Sequence, residues 1–386
     1  MKFPKNIASI AFICLLINAT FISCSSIKNL DQPITVTVEN SSKLNKTAET
    51  IEIDWKRLSK LKDLNFNEII VKEESSGKEI PSQIIYNGEK NPQSIIFQTN
   101  INAQSSQKFL ITKGTPAKYE TKVYGRQVPE RFDDFAWEND KVAFRMYGEA
   151  LEGKAGMAKG IDFWAKRTSG LVINKWYKSD NYHKDNGEGV DAYHVGITLG
   201  AGNASPIVGN EIIYPINYSE YEILDNGPIR FSFKLSYKPY LVNGKNVTET
   251  KTISLDAGSQ LNKVVNNYVT DGALQIAAGV TKHKNNGVKK MDKAANYVAY
   301  WDQADGGTVN GFMGVGVVYP LSNVKETKES DQHVFMVVEP DKNKNVSYYQ
   351  GGGWSKSGNF EKPEAWFSYL ENFSENLKNP LTVKVD

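Results

Sequence analysis

The feature that most constrains this chain is a long succession of short apolar runs with period two, each closed by a turn signal. Ile34-Thr35-Val36-Thr37-Val38 opens the series, and Thr50-Ile51-Glu52-Ile53-Asp54-Trp55 repeats it with Ile51, Ile53 and Trp55 on one face. Runs at 69–71, 84–86, 94–98 and 108–112 follow, separated by Ser, Asn, Gly and Lys. Such alternation buries one face of a sheet and leaves the other polar, so 34–117 is expected to form a small antiparallel β-sandwich. Gly114, Pro116 and Lys118 mark the linker that closes it.

Residues 118–386 continue in the same manner. Strand-like runs recur at 142–145, 170–173, 211–214, 229–236, 250–255, 261–268, 298–301, 314–318 and 334–338. Asn226-Gly227, Asn243-Gly244 and Asp271-Gly272 punctuate them as turn dipeptides. The one helix expected lies at the end, where Pro363 precedes Ala365, Trp366, Phe367, Tyr369, Leu370, Phe373 and Leu377 at near-helical spacing. With no alternation of strands and helices, the second region reads as a large two-sheet antiparallel sandwich, and the fold class as all-β. No Gly-x-Gly-x-x-Gly opens a helix, which argues against a nucleotide fold.

The first residues read as an export signal. Lys2 and Lys5 precede the apolar stretch 7–22, which is too interrupted for a secure membrane span. It ends in Phe21-Ile22-Ser23-Cys24, the form of a bacterial lipoprotein cleavage box. The expected organisation is a signal peptide over 1–23, lipidation at Cys24 and a linker to 33. Cys14, inside the apolar stretch, is the other cysteine, so the mature body has no thiol for disulfides, cysteine-zinc sites or cysteine nucleophiles. The expected location is the outer membrane, facing the periplasm, and the expected state a monomer. Lys+Arg is 46 against Asp+Glu 44, a balance that argues against nucleic acid as partner.

The candidate chemistry concentrates at 162–194, where Asp162-Phe163-Trp164-Ala165-Lys166-Arg167 is followed by Tyr182-His183-Lys184-Asp185-Asn186-Gly187-Glu188-Gly189. Cations, flat rings and proton-transfer groups are mixed there, as an anionic sugar requires. Lys166, Arg167 or Lys184 would neutralise a carboxylate or sulfate. Trp137, Trp164 and Trp354 would stack on a pyranose or, equally, fill the core. His183, Tyr182 and Tyr349 would move protons. The glycines of Tyr348-Tyr349-Gln350-Gly351-Gly352-Gly353-Trp354 would admit a ligand close to the backbone. Asp180, Asp185, Glu188 and Asp191 lack the spacing of a calcium loop, and no metal or other cofactor is expected.

Four segments together resemble one family: Arg131-Phe132-Asp133-Asp134-Phe135-Ala136-Trp137-Glu138-Asn139-Asp140, Gly160-Ile161-Asp162-Phe163-Trp164-Ala165-Lys166-Arg167, the 182–189 segment and the 348–354 segment. The family comprises Bacteroidetes-type lipoproteins long described only by a domain of unknown function, and includes an ulvan oligosaccharide dehydratase. The resemblance covers 119–386 and implies a galactose-mutarotase-like β-supersandwich. It also implies removal of water from a terminal glucuronic or iduronic acid on rhamnose-3-sulfate, leaving a 4,5-unsaturated uronic acid. For that reaction we expect Arg167, with Lys166 or Lys184, to hold the carboxylate. His183 would be the base, and Tyr182 or Tyr349 the acid. A lyase that expels a sugar and a non-catalytic glycan-binding lipoprotein are the alternatives.

Overall fold

Alternation decides the first module. In Ile34–Asn40 the side chains of Ile34, Val36, Val38 and Asn40 are buried, while those between them are part-exposed or exposed. This strand lies one in from the edge of a five-stranded antiparallel sheet that also contains Ser105–Lys113, Ile69–Glu73 and Glu79–Ile80. A second sheet, Lys46–Asp54, Ser94–Ile101 and Ser82–Ile85, packs against it through Ile51, Ile53, Ile95 and Phe97. The computed structural model describes residues 33–61, 65–179, 181–283, 286–320 and 324–386, so the expected export signal and Cys24 lie outside the described residues.

The sandwich is completed from the far end of the chain. Thr382–Val385 pairs with Ile34–Asn40, with Val36 opposite Val385 and Val38 opposite Val383. The last strand, placed by sequence in 118–386, therefore belongs to the first module's sheet. The modules are joined further by Gln83, which donates to the Arg230 carbonyl and accepts from the Ile229 and Arg230 amides. Asp225 accepts from the Tyr86 and Asn87 amides.

The large module is built from three antiparallel sheets. One has nine strands, running Glu220–Asn226, Arg230–Ser236, Lys245–Asp256, Leu261–Val269, Asn345–Trp354, Phe312–Val318, Tyr297–Gln303 and Val288–Asp292, with Tyr240–Val242 paired to Lys245–Asp256. The turn closing that last hairpin is Asn243-Gly244, both at positive φ, as the dipeptide predicts. A second sheet runs Gly189–Val190, Asp162–Lys166, Val142–Met146, Asp134–Asn139 and Val123–Val128. The third holds Asn203–Val208, Ile276–Thr281, His333–Val338 and their edge strands. Side chains from all three meet in one core that includes Phe135, Trp137, Phe144, Phe163, Phe233, Tyr268 and Trp354.

Two α-helices are described. The C-terminal helix, Pro363–Lys378, is the one expected. Trp366, Phe367 and Leu370 pack on the outer face of the nine-stranded sheet, against Tyr297, Ala299 and Trp301. The other helix, Ile173–Ser179 (hereafter α1), replaces the end of the strand expected at 170–173. The cause is distant in sequence: the Glu138 carboxylate accepts from the amides of Val172 and Ile173 at 2.8 Å, which occupies the donors at the start of a helix.

Candidate active site

The second sheet has two unlike faces. Phe135, Trp137, Phe144 and Phe163 point into the main core. The alternate positions, Asp134, Ala136, Glu138, Ala143, Arg145, Asp162, Trp164 and Lys166, form the opposite face. α1 and the segment around 182–191 cover that face, so its charges are buried and must pair within the protein. Lys166 donates to Glu138 at 2.7 Å and to the Asn139 carbonyl at 2.6 Å. Arg145 donates to Asp162 Oδ2 at 2.9 Å and to Asp191 Oδ2 at 3.1 Å, with Asp134 at 3.7 Å. Burial pushes Asp134 up to about 7 against the opposing pull of Arg145 and Arg131. Burial, followed by the charge of Asp162, likewise pushes Asp191 well above the usual carboxyl range.

Arg145 stands at the edge of this network, where it opens into a cleft of about 650 Å³. His183, Asp191, Tyr147, Tyr193, His194 and Asp305 also line the cleft. His183 Nδ1 lies 3.1 Å from the Asp191 carbonyl and 3.5 Å from Asp191 Oδ2. The Asp191 carbonyl can only accept, so it places the proton on Nδ1, which leaves a lone pair on Nε2. The His183 side chain is 61% exposed, so that lone pair is within reach of a solute in the cleft. The ring rests on Tyr182, which stacks in turn on Trp164, with ring centroids 4.5 and 5.1 Å apart.

Of the residues expected from sequence, His183 lines the cleft and Lys184 is exposed beside it on the same segment. The others require correction. Trp137, Trp164 and Trp354 are fully buried core rings, and their indole N–H groups donate to Asn262, Asp162 and the Asn310 carbonyl. They present no face to a sugar. Lys166 is consumed by Glu138. Arg167 pairs with Asp185 and lies over the Trp354 ring at 4.7 Å, away from the cleft lining. Tyr182 is buried behind His183, and burial raises its hydroxyl above the ordinary range, which suits a support and not a proton donor to solvent-borne substrate. Tyr349 packs edge-on against Phe373 of the C-terminal helix, in a separate cluster.

The Gly351-Gly352-Gly353 run also answers to packing. A Cβ at Gly351 would lie 2.0 Å from the Gln260 carbonyl oxygen. At Gly352 it would meet the Phe163 ring at 2.8 Å, and at Gly353 the Phe360 and Trp366 rings at 2.7 and 2.8 Å. These glycines admit protein, not ligand. The carboxylates weighed for calcium are likewise dispersed: Asp185 to Arg167, Glu188 to Lys175 and Asp191 to Arg145, while Asp180 lies outside the described residues.

Sequence reasoning weighed the segment from Arg126 to Arg145 as an ion-pair knot or a site wall without singling out Arg145, and it missed Tyr147. The available signal was a cation at an alternate position of an otherwise apolar strand, Val142-Ala143-Phe144-Arg145-Met146. Such a charge is buried and needs partners supplied by other segments.

A family model described as a domain of unknown function (DUF4861) matches residues 38–383. The chain is 30% identical to "Uncharacterized protein P7" of Formosa agariphila, covering 99% of this chain and 100% of that protein. Among solved structures, a protein in the glycosyl hydrolase family 38 from Enterococcus faecalis superposes with a TM-score of 0.52 at 12% identity, over 92% of this chain. An α-mannosidase from Enterococcus faecalis V583 gives 0.51 at 12% identity, again over 92%. The chain spans about half the length of these two, 47% and 46%, and the likeness is one of fold.

Proposed function

The chain belongs to the DUF4861 family, and we propose that it is an oligosaccharide dehydratase that eliminates water from a non-reducing-end uronic acid. The C5 proton of such a sugar lies alpha to a carboxylate and becomes removable when a cation spreads the charge of the developing enolate. In this reading Arg145 is that cation, and His183 Nε2 takes the proton. The observation that carries the reading is the unblocked Nε2 of a histidine whose other nitrogen is held by Asp191, in a cleft whose lining includes a guanidinium. The family resemblance puts ulvan fragments ending in glucuronic or iduronic acid on rhamnose-3-sulfate first among substrates. The export signal and Cys24 suit a lipid-anchored enzyme meeting such fragments in the periplasm.

The test is incubation with ulvan oligosaccharides carrying a saturated uronic acid at the non-reducing end. The expected result is ultraviolet absorbance from the new double bond together with mass loss of one water. His183→Gln should lower the rate by about 10²-fold or more, the usual scale for a proton-transfer group, without unfolding so exposed a site. Chain cleavage in place of water loss would make the protein a lyase. Binding measured by calorimetry with no absorbance change would make it a glycan-binding protein.

A further inference from the structure

A smaller chamber of about 120 Å³ adjoins the cleft and shares Ala192, Tyr193, His194 and Asp305 with it. Its lining includes a second histidine–carboxylate pair, His283 with Asp302. This pair differs from the first in the atoms that face each other. His283 Nε2 lies 2.8 Å from the His194 carbonyl, so Nε2 carries a proton. His283 Nδ1 faces Asp302 Oδ2 at 3.8 Å. At that distance the two are not hydrogen-bonded, and burial raises the Asp302 carboxyl above its ordinary range against the opposing pull of the Gln303 amide and His283, which favours its protonated form. The other carboxyl oxygen, Oδ1, accepts from the Gln303 amide at 2.7 Å.

Two buried polar atoms of this lining, Asp302 Oδ2 and Tyr193 Oη, have no hydrogen-bond partner. Unpartnered polar groups at the wall of a chamber are expected to serve a ligand or solvent. The chamber has room for a few water molecules, ample for a departing hydroxyl. Where His183 is arranged to accept a proton, the Asp302–His283 pair is arranged to give one.

We propose that Asp302, backed by His283, is the general acid that protonates the leaving C4 hydroxyl through this chamber. The inference rests on the elimination reading above. His183 Nε2 takes the C5 proton, and the C5–H electron pair becomes the C4–C5 double bond. The C4–O bond breaks, and its pair, with the proton from Asp302, leaves as water. His183 ends one proton richer and the Asp302–His283 pair one poorer. Exchange with solvent through the open cleft restores both.

The experiment compares two substrates on the full chain: an oligosaccharide ending in a saturated uronic acid, and its 4-deoxy-4-fluoro counterpart, whose fluoride departs as an anion without the proton. Asp302→Asn and His283→Gln should each lose about 10²-fold or more on the hydroxyl substrate and less than about tenfold on the fluoride. His183→Gln should lose comparably on both. Melting temperatures monitor folding, and His283→Gln, a change at a part-exposed ring, stands in if Asp302→Asn melts early. Equal losses on the two substrates by a folded variant, or no loss on either, overturn the donor assignment alone. A wild-type protein inert toward both substrates overturns the elimination reading and this inference with it.

Discussion

Glu138→Ala is the sharpest test of how the covered face of the second sheet is held together. The Glu138 carboxylate is fully buried and serves three donors: Lys166 Nζ at 2.7 Å and the amides of Val172 and Ile173 at 2.8 Å. Truncation strands the Lys166 ammonium with a single carbonyl partner and leaves two buried amides without acceptors. Breaking a buried ion pair from one side costs about 3–5 kcal/mol, and each unsatisfied buried group adds about 1–3 kcal/mol. Water entering the space left behind offsets part of this, so the expected loss is at least about 3 kcal/mol. The assay is equilibrium urea unfolding followed by tryptophan fluorescence. Adding Lys166→Met removes the orphaned charge while keeping its bulk, and should restore about 1 kcal/mol or more. α1 carries Trp176, which stacks on Trp164 behind Tyr182 and His183, so the single variant should also lose the proposed elimination activity. A Glu138→Ala cost below about 1 kcal/mol, or no recovery on removing Lys166, would refute the claim that this pair seats α1.

Three further outcomes follow from the same physical reasoning. Burial pushes His333 down to about 4, and its Nε2 accepts from the Leu199 amide. The unfolded side chain titrates near 6.5, so stability is full above about pH 6.5 and falls as pH drops toward about 4. His333→Gln should flatten that part of the urea-midpoint profile, and an unchanged slope would count against it. Asp134 acts with the opposite sign: held at about 7 in the folded chain against about 3.9 unfolded, it makes stability decline as pH rises between those values. Asp134→Asn should therefore raise the melting temperature at pH 8 and leave it unchanged at pH 3. Gly351→Ala, whose Cβ would meet the Gln260 carbonyl oxygen, should cost about 3 kcal/mol or more in urea unfolding; a neutral result would return that run to consideration as a ligand contact.

The strands were legible because period-two burial is a local property. Ile34, Val36 and Val38 declare one face of a sheet without reference to the rest of the chain, and the Asn243-Gly244 hairpin needs only its own positive-φ residues. The C-terminal helix was legible for the same reason, since its apolar stripe repeats over sixteen residues. α1 was not. Seven residues carry too little periodicity, and the decisive interaction comes from Glu138, more than thirty positions earlier. Thr382–Val385 reads plainly as a strand, yet its partner Ile34–Asn40 stands at the other end of the chain, so its module could not be told from its own composition.

The site divides along the same line. His183 was legible because it lies in a segment of glycines and polar residues where a histidine has no packing role. The tryptophans misled because stacking on a sugar and filling a core demand the same flat apolar ring, and only tertiary placement separates the two. Trp137 alternates in phase with Phe135, which puts both in the main core, while Trp164 alternates with Asp162 and Lys166 on the face that α1 covers. The proposed division of labour between the histidines lay further out of reach. His183 and His283 each stand beside an aspartate, and nothing in composition distinguishes an acceptor from a donor. What distinguishes them is which carbonyl meets which ring nitrogen: that of Asp191 holds Nδ1 of His183 and frees Nε2, while that of His194 engages Nε2 of His283 and turns Nδ1 toward Asp302. Backbone oxygens have no sequence signature, so the proposed assignment of base and acid could be framed only once the fold had brought those oxygens to the rings.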